Sequence, residues 1–589
     1  MGAIVPGADS GGAHPRGNGP LTADVARTSA QWRQGDCDTT HDVAATVVAG
    51  ARRSRFGRVC VFYPERLPQA GTILLCACRA GGGQTMAGAD AATVAPKSTP
   101  GPGGLPVELN GINVISEEER GGRPSRLFWP WCAANIAVLG ISYGSFFLGF
   151  GVSFWQATIA GVAGTIVSFL LVGFVSLAGK RGSAPTMVLS RAAFGVRGNA
   201  IPAGLSYLLL LGWETVLVAL ATLATATVFH RLGWGAGNTT KIISFIVVAA
   251  IVVAAGMLGF DVIMRLQRVI TVATAILTVG YIVLAADHVH WTVVSALPSG
   301  SAQAVTGVAI FAMTGFGLGW VNSAADYSRY LPRSASSRGV VSWTTFGGAI
   351  APVVLVIFGA LLAGSNKGLN SSIAADPIGA LTTILPTWYL VPFALVAIAG
   401  LIGGAVLDIY SSGLALLTLG VRIPRWSAAG IDGVIMCLGT IYLVWISSSF
   451  FGSFEGFLIT LGVPIAAWCG AFLADLALRR HAYAEADLFD ASGRYGVASP
   501  PALAAVLAGT ALGWGLVTNS FASWLSWQGY LLAPFGLGGK TGAWAGANLG
   551  VLAALVVAFA GYYLTAGRRV RAQEAVPQVV PAALRRWSH

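Results

Sequence analysis

The sequence predicts an all-α membrane protein of twelve transmembrane helices, the first ten arranged as a 5+5 inverted repeat and the last two added at the C-terminal end. Three observations carry that expectation. From Trp129 to Ala566 apolar runs of about twenty residues, the length of a membrane helix, alternate with short connectors. Lys and Arg gather on alternate connectors. Spans one and six, five apart, both carry glycine at mid-depth. Inside lipid every backbone amide has to be satisfied within its own segment, so helix is the expected conformation.

Composition points the same way. Of 589 residues 55% are hydrophobic and 10% are charged, whereas a soluble domain carries about a quarter charged residues. The formal charge of +12 would suit nucleic-acid binding if it lay on one soluble face. It lies instead at the ends of apolar runs, where it encodes orientation, so no nucleic-acid partner is expected.

Residues 1–105 are rich in Gly, Ala, Pro, Ser and Arg without sustained periodicity, and are expected to be a disordered extension. The apolar stretch Gly71–Ala77 is too short to span. A cytoplasmic lead-in follows at 106–127. Twelve spans are placed at 128–150, 157–178, 203–229, 242–260, 269–286, 304–325, 346–364, 388–418, 432–450, 453–477, 502–523 and 544–566. The ten-helix inverted-repeat core is thus 128–477, followed by a cytoplasmic loop 478–501, an accessory pair 502–566 and a cytoplasmic tail 567–589. Ala374–Leu385 looks like a short extracellular helix.

One set of connectors holds Lys180, Arg181, Arg191, Arg197, Arg265, Arg268, Arg329, Arg333, Arg338, Arg422, Arg425, Arg479, Arg480 and Arg494. The other holds Arg231, Lys241, Lys367 and Lys540. The richer set is expected on the cytoplasmic side, with both termini, and the protein in the plasma membrane. Of seven cysteines, Cys132, Cys437 and Cys469 lie in apolar runs as packing residues. Cys76 and Cys78 are too close for CxxC, and neither a disulfide framework nor a metal site is expected.

Two spans should break. Span one has Gly140 and Gly144; span six has Gly315, Gly317 and Gly319, then Trp320. Each glycine costs a helix about 1 kcal/mol against alanine. Close packing through small residues is the bland alternative. It fits span six less well, because three alternate glycines cannot share one packing face. Inverted-repeat transporters break the first helix of each half and bind solute there, so Gly140, Gly315 and Gly319 are the expected breaks.

Charges inside spans are costly and therefore candidates for function. Glu214 lies in span three and Asp408 in span eight. A carboxyl whose access alternates between the two sides can exchange a proton with each, which is what proton-coupled uptake requires. Asp326 and Glu455 lie nearer span ends, where capping or pairing with Arg329 is the plainer reading. Trp213, Phe316 and Trp320 are placed to bracket a flat heterocycle, and offset stacking adds about 0.5–1.5 kcal/mol beyond area burial. No GxSxG elbow, HExxH or GxxxxGK[ST] occurs, so no catalytic set and no organic cofactor is expected.

Several stretches together resemble a known family. Val107-Glu108-Leu109-Asn110-Gly111-Ile112 through Arg120 and Arg123 to Phe128-Trp129 is similar to the N-terminal segment of nucleobase:cation symporters of the purine–cytosine permease type. Gly182-Ser183-Ala184-Pro185-Thr186 with Ser190-Arg191-Ala192-Ala193-Phe194-Gly195 resembles their loop after span two. Ala324-Ala325-Asp326-Tyr327-Ser328-Arg329-Tyr330, Ile409-Tyr410-Ser411-Ser412-Gly413 and Ala474-Asp475 resemble parts of spans six, eight and ten. The resemblance covers about residues 107–570. It implies the fold of the sodium-coupled leucine transporter and symport of a nucleobase or related heterocycle with H⁺ or Na⁺. It implies stacking residues at Trp213 and at Phe316 or Trp320, and a polar contact near Asp408.

Two departures bear on this. Leu217 stands where some relatives carry an amide, leaving Glu214 as the substitute. Gly403-Gly404-Ala405 stands where sodium-coupled relatives carry hydroxyl or amide groups, which favours protons. The expected function is uptake of a nucleobase with a cation, a proton rather than sodium. The substrate stacks between Trp213 and Phe316–Trp320 against the Gly317 backbone, with Glu214 and Asp408 at its ring nitrogens or carrying the proton. Sodium coupling, or a vitamin, hydantoin or allantoin as the cargo, is the alternative within the same family, and a non-transporting receptor or membrane enzyme the remote one. Oligomeric state is not encoded legibly.

Overall fold

A computed structural model of the protein describes residues 111–576, apart from 236, 258–259, 448–449 and 520–522, together with five short strands before them. The chain divides into two units, 1–94 and 95–589. The first contains an antiparallel sheet of β1 (Arg52–Arg53), β2 (Val59–Arg66) and β3 (Thr72–Arg79), with Val59 opposite Arg79 and Arg66 opposite Thr72. Most of the extension expected to be disordered lies outside the described residues.

The second unit is the membrane body. Span one is a bent pair, Phe128–Asn135 and Leu139–Gly149. Spans two to five are Phe154–Gly182, Ala200–Arg231, Asn238–Met257 and Phe260–Ala285. Span six is again divided, Ala302–Gly315 and Ala324–Ser328. Spans seven to ten are Ser337–Ser365, Leu390–Thr418, Arg425–Ile441 and Phe450–Leu478. Pro500–Gly515 and Gly550–Ala575 complete the series. Among the described residues ten helices are long and apolar enough to cross a membrane, eleven spans with the bent pair.

Local chemistry sets these boundaries. Ser153 and Gln156 form a reciprocal capping box that starts span two. Ser301 caps span six through the Ala304 amide, and Ser336 caps span seven through the Gly339 amide. Asn366 caps a short helix, Lys367–Ala375, in the connector where a short helix was expected slightly later. The eleventh span is shorter than the predicted 502–523. At 16 residues it is about 24 Å long, short of the roughly 30 Å hydrocarbon core. It stops because the returning chain takes its last carbonyls: Gly529 donates to Trp514 O and Leu531 to Gly515 O.

Span two packs on span seven and span three on span eight. Each therefore lies against its counterpart five spans on, the arrangement an inverted repeat produces. Span twelve packs on span ten, tied by Tyr562, whose hydroxyl donates to Asp475 at 2.8 Å, and by Gln573, which accepts from Arg479 at 3.0 Å.

Candidate functional site

The two divided spans build the site. In span one the helix leaves helical geometry at Ile136 (φ −88°, ψ 50°) and resumes at Leu139. The halves meet at 65°. The break thus precedes the predicted Gly140, which is a correction. Gly140 lies inside the second half, where an added Cβ would sit 2.9 Å from Leu355; at Gly144 it would sit 2.4 Å from Val356 O. These glycines serve close packing on span seven. What lies against the true break is small: a Cβ at Gly400 of span eight would sit 2.9 Å from Ile136 O, and at Gly403 3.1 Å from Ala133 O.

Span six breaks where the glycines stand. Gly315 is its last helical residue, Phe316 is non-helical (φ −114°, ψ −105°), and Gly317–Gly319 and Val321–Ser323 are single 3₁₀ turns. Ser168 of span two accepts the freed Gly317 amide at 3.0 Å. A Cβ at Gly317 would lie 2.3 Å from the Ser168 carbonyl carbon, so only glycine fits.

Aromatic rings close around these breaks. Tyr143 and Phe316 have centroids 4.5 Å apart, and Tyr143 donates to Gly315 O at 3.3 Å. Trp213 packs edge-on to Phe454 at 5.5 Å, and Phe454 in turn meets Tyr143. The Trp213 Nε1 faces Gly319, where a Cβ would sit 2.9 Å away, and it has no acceptor among the described residues. Trp320 belongs to a second group with Trp131 at 5.8 Å; Trp131 also meets Tyr327 at 5.4 Å. The structure thus sets Trp213 beside Gly319 and Phe316 beside Tyr143, while Gly317 packs on Ser168 of span two and Trp320 lies with Trp131. Tyr143, Trp131 and Phe454 complete the rings. They were legible as aromatics inside apolar runs but carried no distinguishing signal.

The carboxylates take separate places. Glu214, next to Trp213 in sequence, turns away from the rings to Ser412 of span eight, which lies at 2.6 Å. Asp408 is fully buried, and neither of its oxygens has a partner among the described residues. Asp326 Oδ1 accepts from the Thr186 amide and hydroxyl, both at 2.8 Å, a capping role. Glu455 faces a cavity on the side away from the Arg-rich connectors. Missed in the sequence is Asp432 of span nine, fully buried, with Oδ2 2.9 Å from Ser412 Oγ.

Two cavities approach the rings. One, of about 250 Å³, opens on the Arg-rich side and is lined by Trp129, Arg265, Arg268, Tyr327 and Leu331. The other, of about 390 Å³, lies on the opposite side between Ser145, Phe146, Phe150, Asn370 and Glu455. Trp131–Tyr327 and Tyr143–Phe146 bound the ring cluster from the two cavities.

The Arg-rich face is latched. Arg120 donates to Leu331 O at 2.8 Å and Lys180 O at 2.7 Å, and also to Ser183. Arg333 pairs with Glu117 at 2.6 Å and with Glu485. Burial pushes the Glu117 carboxyl up, but Arg333 and Arg120 more than offset this and hold it below the usual carboxylate range.

Interrupted helices at corresponding places in the two halves of an inverted repeat are the arrangement of secondary transporters. The chain belongs to the family of permeases for cytosine/purines, uracil, thiamine and allantoin, whose model matches residues 114–532. It is similar to YxlA of Bacillus subtilis (strain 168), which carries the name of a purine-cytosine permease, with 23% identity over 405 residues, 67% of this chain and 84% of that one. In fold it is similar to Mhp1, a nucleobase-cation-symport-1 family transporter, in a closed conformation with bromovinylhydantoin bound. There the TM-score is 0.58 and identity 19%, covering 79% of this chain and 99% of that one. A Na⁺-coupled sialic acid symporter in a substrate-bound outward-open state follows, with TM-score 0.52 and 13% identity over 76% and 91% of the two chains.

Proposed function

We propose that this protein imports a nucleobase or related planar heterocycle across the plasma membrane by symport with a proton, with both termini cytoplasmic. The observation that carries the reading is the aromatic cluster at the span-six break, where Phe316 stacks on Tyr143 of the second half of span one and Phe454 links Tyr143 to Trp213. The substrate ring enters between Trp213 and the Phe316–Trp320 stretch. It faces the backbone of Gly319 and the free N–H of Trp213, while Asp408 supplies an acceptor from span eight. A donor beside stacked rings suits a heterocycle with ring nitrogens or exocyclic oxygens.

A proton is favoured over sodium by the groups beside the span-one break. Hard cations need several oxygen ligands. The carbonyls of Ala133 and Ile136 there face Gly403 and Gly400, which bring no side-chain oxygen. Gln267 of span five reaches the same place: its Nε2 donates to Gly403 O at 2.8 Å, and its Oε1, which has no partner among the described residues, adds one side-chain oxygen to the two carbonyls, still few for a hard cation. The Arg-rich connectors support the cytoplasmic placement of the termini.

The test is uptake of radiolabelled cytosine, uracil, adenine, hypoxanthine and allantoin by cells lacking their own permeases, followed by counterflow in proteoliposomes. Saturable uptake that rises on external acidification and ignores sodium is expected. Uptake strictly dependent on sodium would replace the proton. Binding without flux in both systems would overturn transport in favour of a receptor.

A further inference from the structure

Neighbouring residues on a helix point about 100° apart, so Trp213 and Glu214 serve different surroundings. Trp213 faces the broken spans. Glu214 faces spans eight and nine, where Ser412 Oγ lies 2.6 Å from Glu214 Oε1 and 2.9 Å from Asp432 Oδ2. All three residues are fully buried. The Ile409 carbonyl is a further acceptor, 3.3 Å from the same Oγ.

A serine hydroxyl owns one proton, and an ionised carboxylate only accepts. Ser412 can therefore donate to one of the two carboxyls and not to both. The second contact is a hydrogen bond only when the other carboxyl carries a proton and donates it to Oγ. Two ionised carboxylates on one hydroxyl would leave a buried acceptor facing an acceptor, an arrangement buried polar groups avoid.

The surrounding groups do not relieve this. Tyr207, two turns before Glu214 on span three, lies near Asp432 and can serve at most one more of its lone pairs. Asp408, one turn before Ser412, adds a third carboxyl acting on Glu214. Span four, packed against spans three, eight and nine, carries Lys241 in its first turn, at the end remote from Val253, which meets Gly433. Arg425, at the start of span nine, donates to Gly256 O at 2.9 Å and lies over the Tyr410 ring. Glu214 Oε2 and Asp432 Oδ1 have no partner among the described residues.

We propose that Glu214, Ser412 and Asp432 form a proton site apart from the aromatic pocket, one exchangeable proton being held between the two carboxyls through the Ser412 hydroxyl. On the symport reading above, this is the proton that is coupled to the substrate. Trp213 and Glu214 then join the two sites by adjacency on one helix: the rings read the substrate on one side and the carboxyl holds the proton on the other.

The test is difference infrared spectroscopy of the full chain in lipid, with a pH step and H₂O/D₂O exchange, reading the C=O stretch of a neutral carboxyl. The wild-type protein should show a hydrogen-bonded carboxylic-acid band that shifts on deuteration. The band should disappear in the Glu214→Gln/Asp432→Asn double variant and move toward a free-acid position in Ser412→Ala. A band unchanged in both variants, or lost only in Asp408→Asn, overturns the site. A second arm uses Asp432→Asn in proteoliposomes with whichever base of the panel is transported. pH-gradient-driven uptake should be lost while counterflow, which needs no net proton movement and also reports folding, persists. Wild-type pH dependence in that variant overturns the proposal. If no base is carried by the wild-type protein, the symport reading fails, and the infrared arm still decides whether the proton is there.

Discussion

A methyl group at position 317 probes the span-six break most sharply. In Gly317→Ala the added Cβ would sit 2.3 Å from the Ser168 carbonyl carbon and 2.6 Å from the Phe169 amide nitrogen, where ordinary contact begins at 3.4 Å. The obstacle is the backbone of span two, so no rotamer change relieves it. The break or the helix has to give by about 1 Å, and overpacking of this kind costs about 1–3 kcal/mol. Falling between conformations of a transport cycle, that displaces their balance about 5- to 150-fold. Gly430→Ala in span nine is the control. Nothing lies within 4 Å of a Cβ there, and replacing a helical glycine gains about 0.5–1 kcal/mol. Thermal unfolding in detergent and initial uptake rates at equal expression are the assays. Gly317→Ala should melt lower and transport at least several-fold more slowly, while Gly430→Ala should match or exceed the wild-type protein in melting and keep its uptake. Wild-type melting and uptake in Gly317→Ala would refute the close approach of span two to the break.

Truncating Trp213 or Trp320 to Ala removes a stacking contribution of about 0.5–1.5 kcal/mol each, so each should weaken apparent substrate affinity roughly 2- to 12-fold. Normal transport in the Trp213→Ala/Trp320→Ala double variant would defeat the stacking model. Asp475 accepts from Arg479 at 2.8 Å and from the Tyr562 hydroxyl at 2.8 Å, and losing one partner of such a buried pair costs about 3–5 kcal/mol. Asp475→Asn should lower the melting temperature far more than the exposed Asp490→Asn; equal shifts would contradict the tie between spans ten and twelve. The Glu117 carboxyl is held below its ordinary range by Arg333 and Arg120, against the effect of burial. Its contribution is therefore complete above the unfolded value and lost as pH falls through the folded one. Acidification below the usual carboxylate range should destabilise the wild-type protein more steeply than Glu117→Gln, and identical slopes would remove Glu117 from the latch.

Hydropathy and charge revealed most of the fold, because lipid permits so few conformations that run length nearly decides them. The span-six break was legible for a local reason, since Gly315, Gly317 and Gly319 cannot serve one packing face. The span-one break was not: Ile136, Ala137 and Val138 are ordinary membrane residues, and the glycines that make room for the break, Gly400 and Gly403, stand on span eight, far away in sequence. Gly140 and Gly144 are the converse case, glycines kept for contact with Leu355 and Val356 O. The eleventh span ended early because a distant loop caps Trp514 and Gly515, a tertiary event with no periodicity to betray it. Asp432 was overlooked because span nine was started at that residue, which made it a boundary charge. The helix begins at Arg425, two turns earlier, and a carboxylate two turns inside a span merits the same scrutiny as Glu214. The separation of Glu214 from Trp213 was available in principle, since adjacent helical residues cannot face the same partner.

A density map of the protein in lipid nanodiscs, collected with the tightest-binding base of the panel, tests the central claim most directly. It should show spans one and six interrupted at 136–138 and 316–323, with a flat ring lying between Trp213 and Phe316 and its edge toward the Gly319 backbone. Continuous helices through those positions, or a ring bound elsewhere with Trp213 still packed on Phe454, would contradict it.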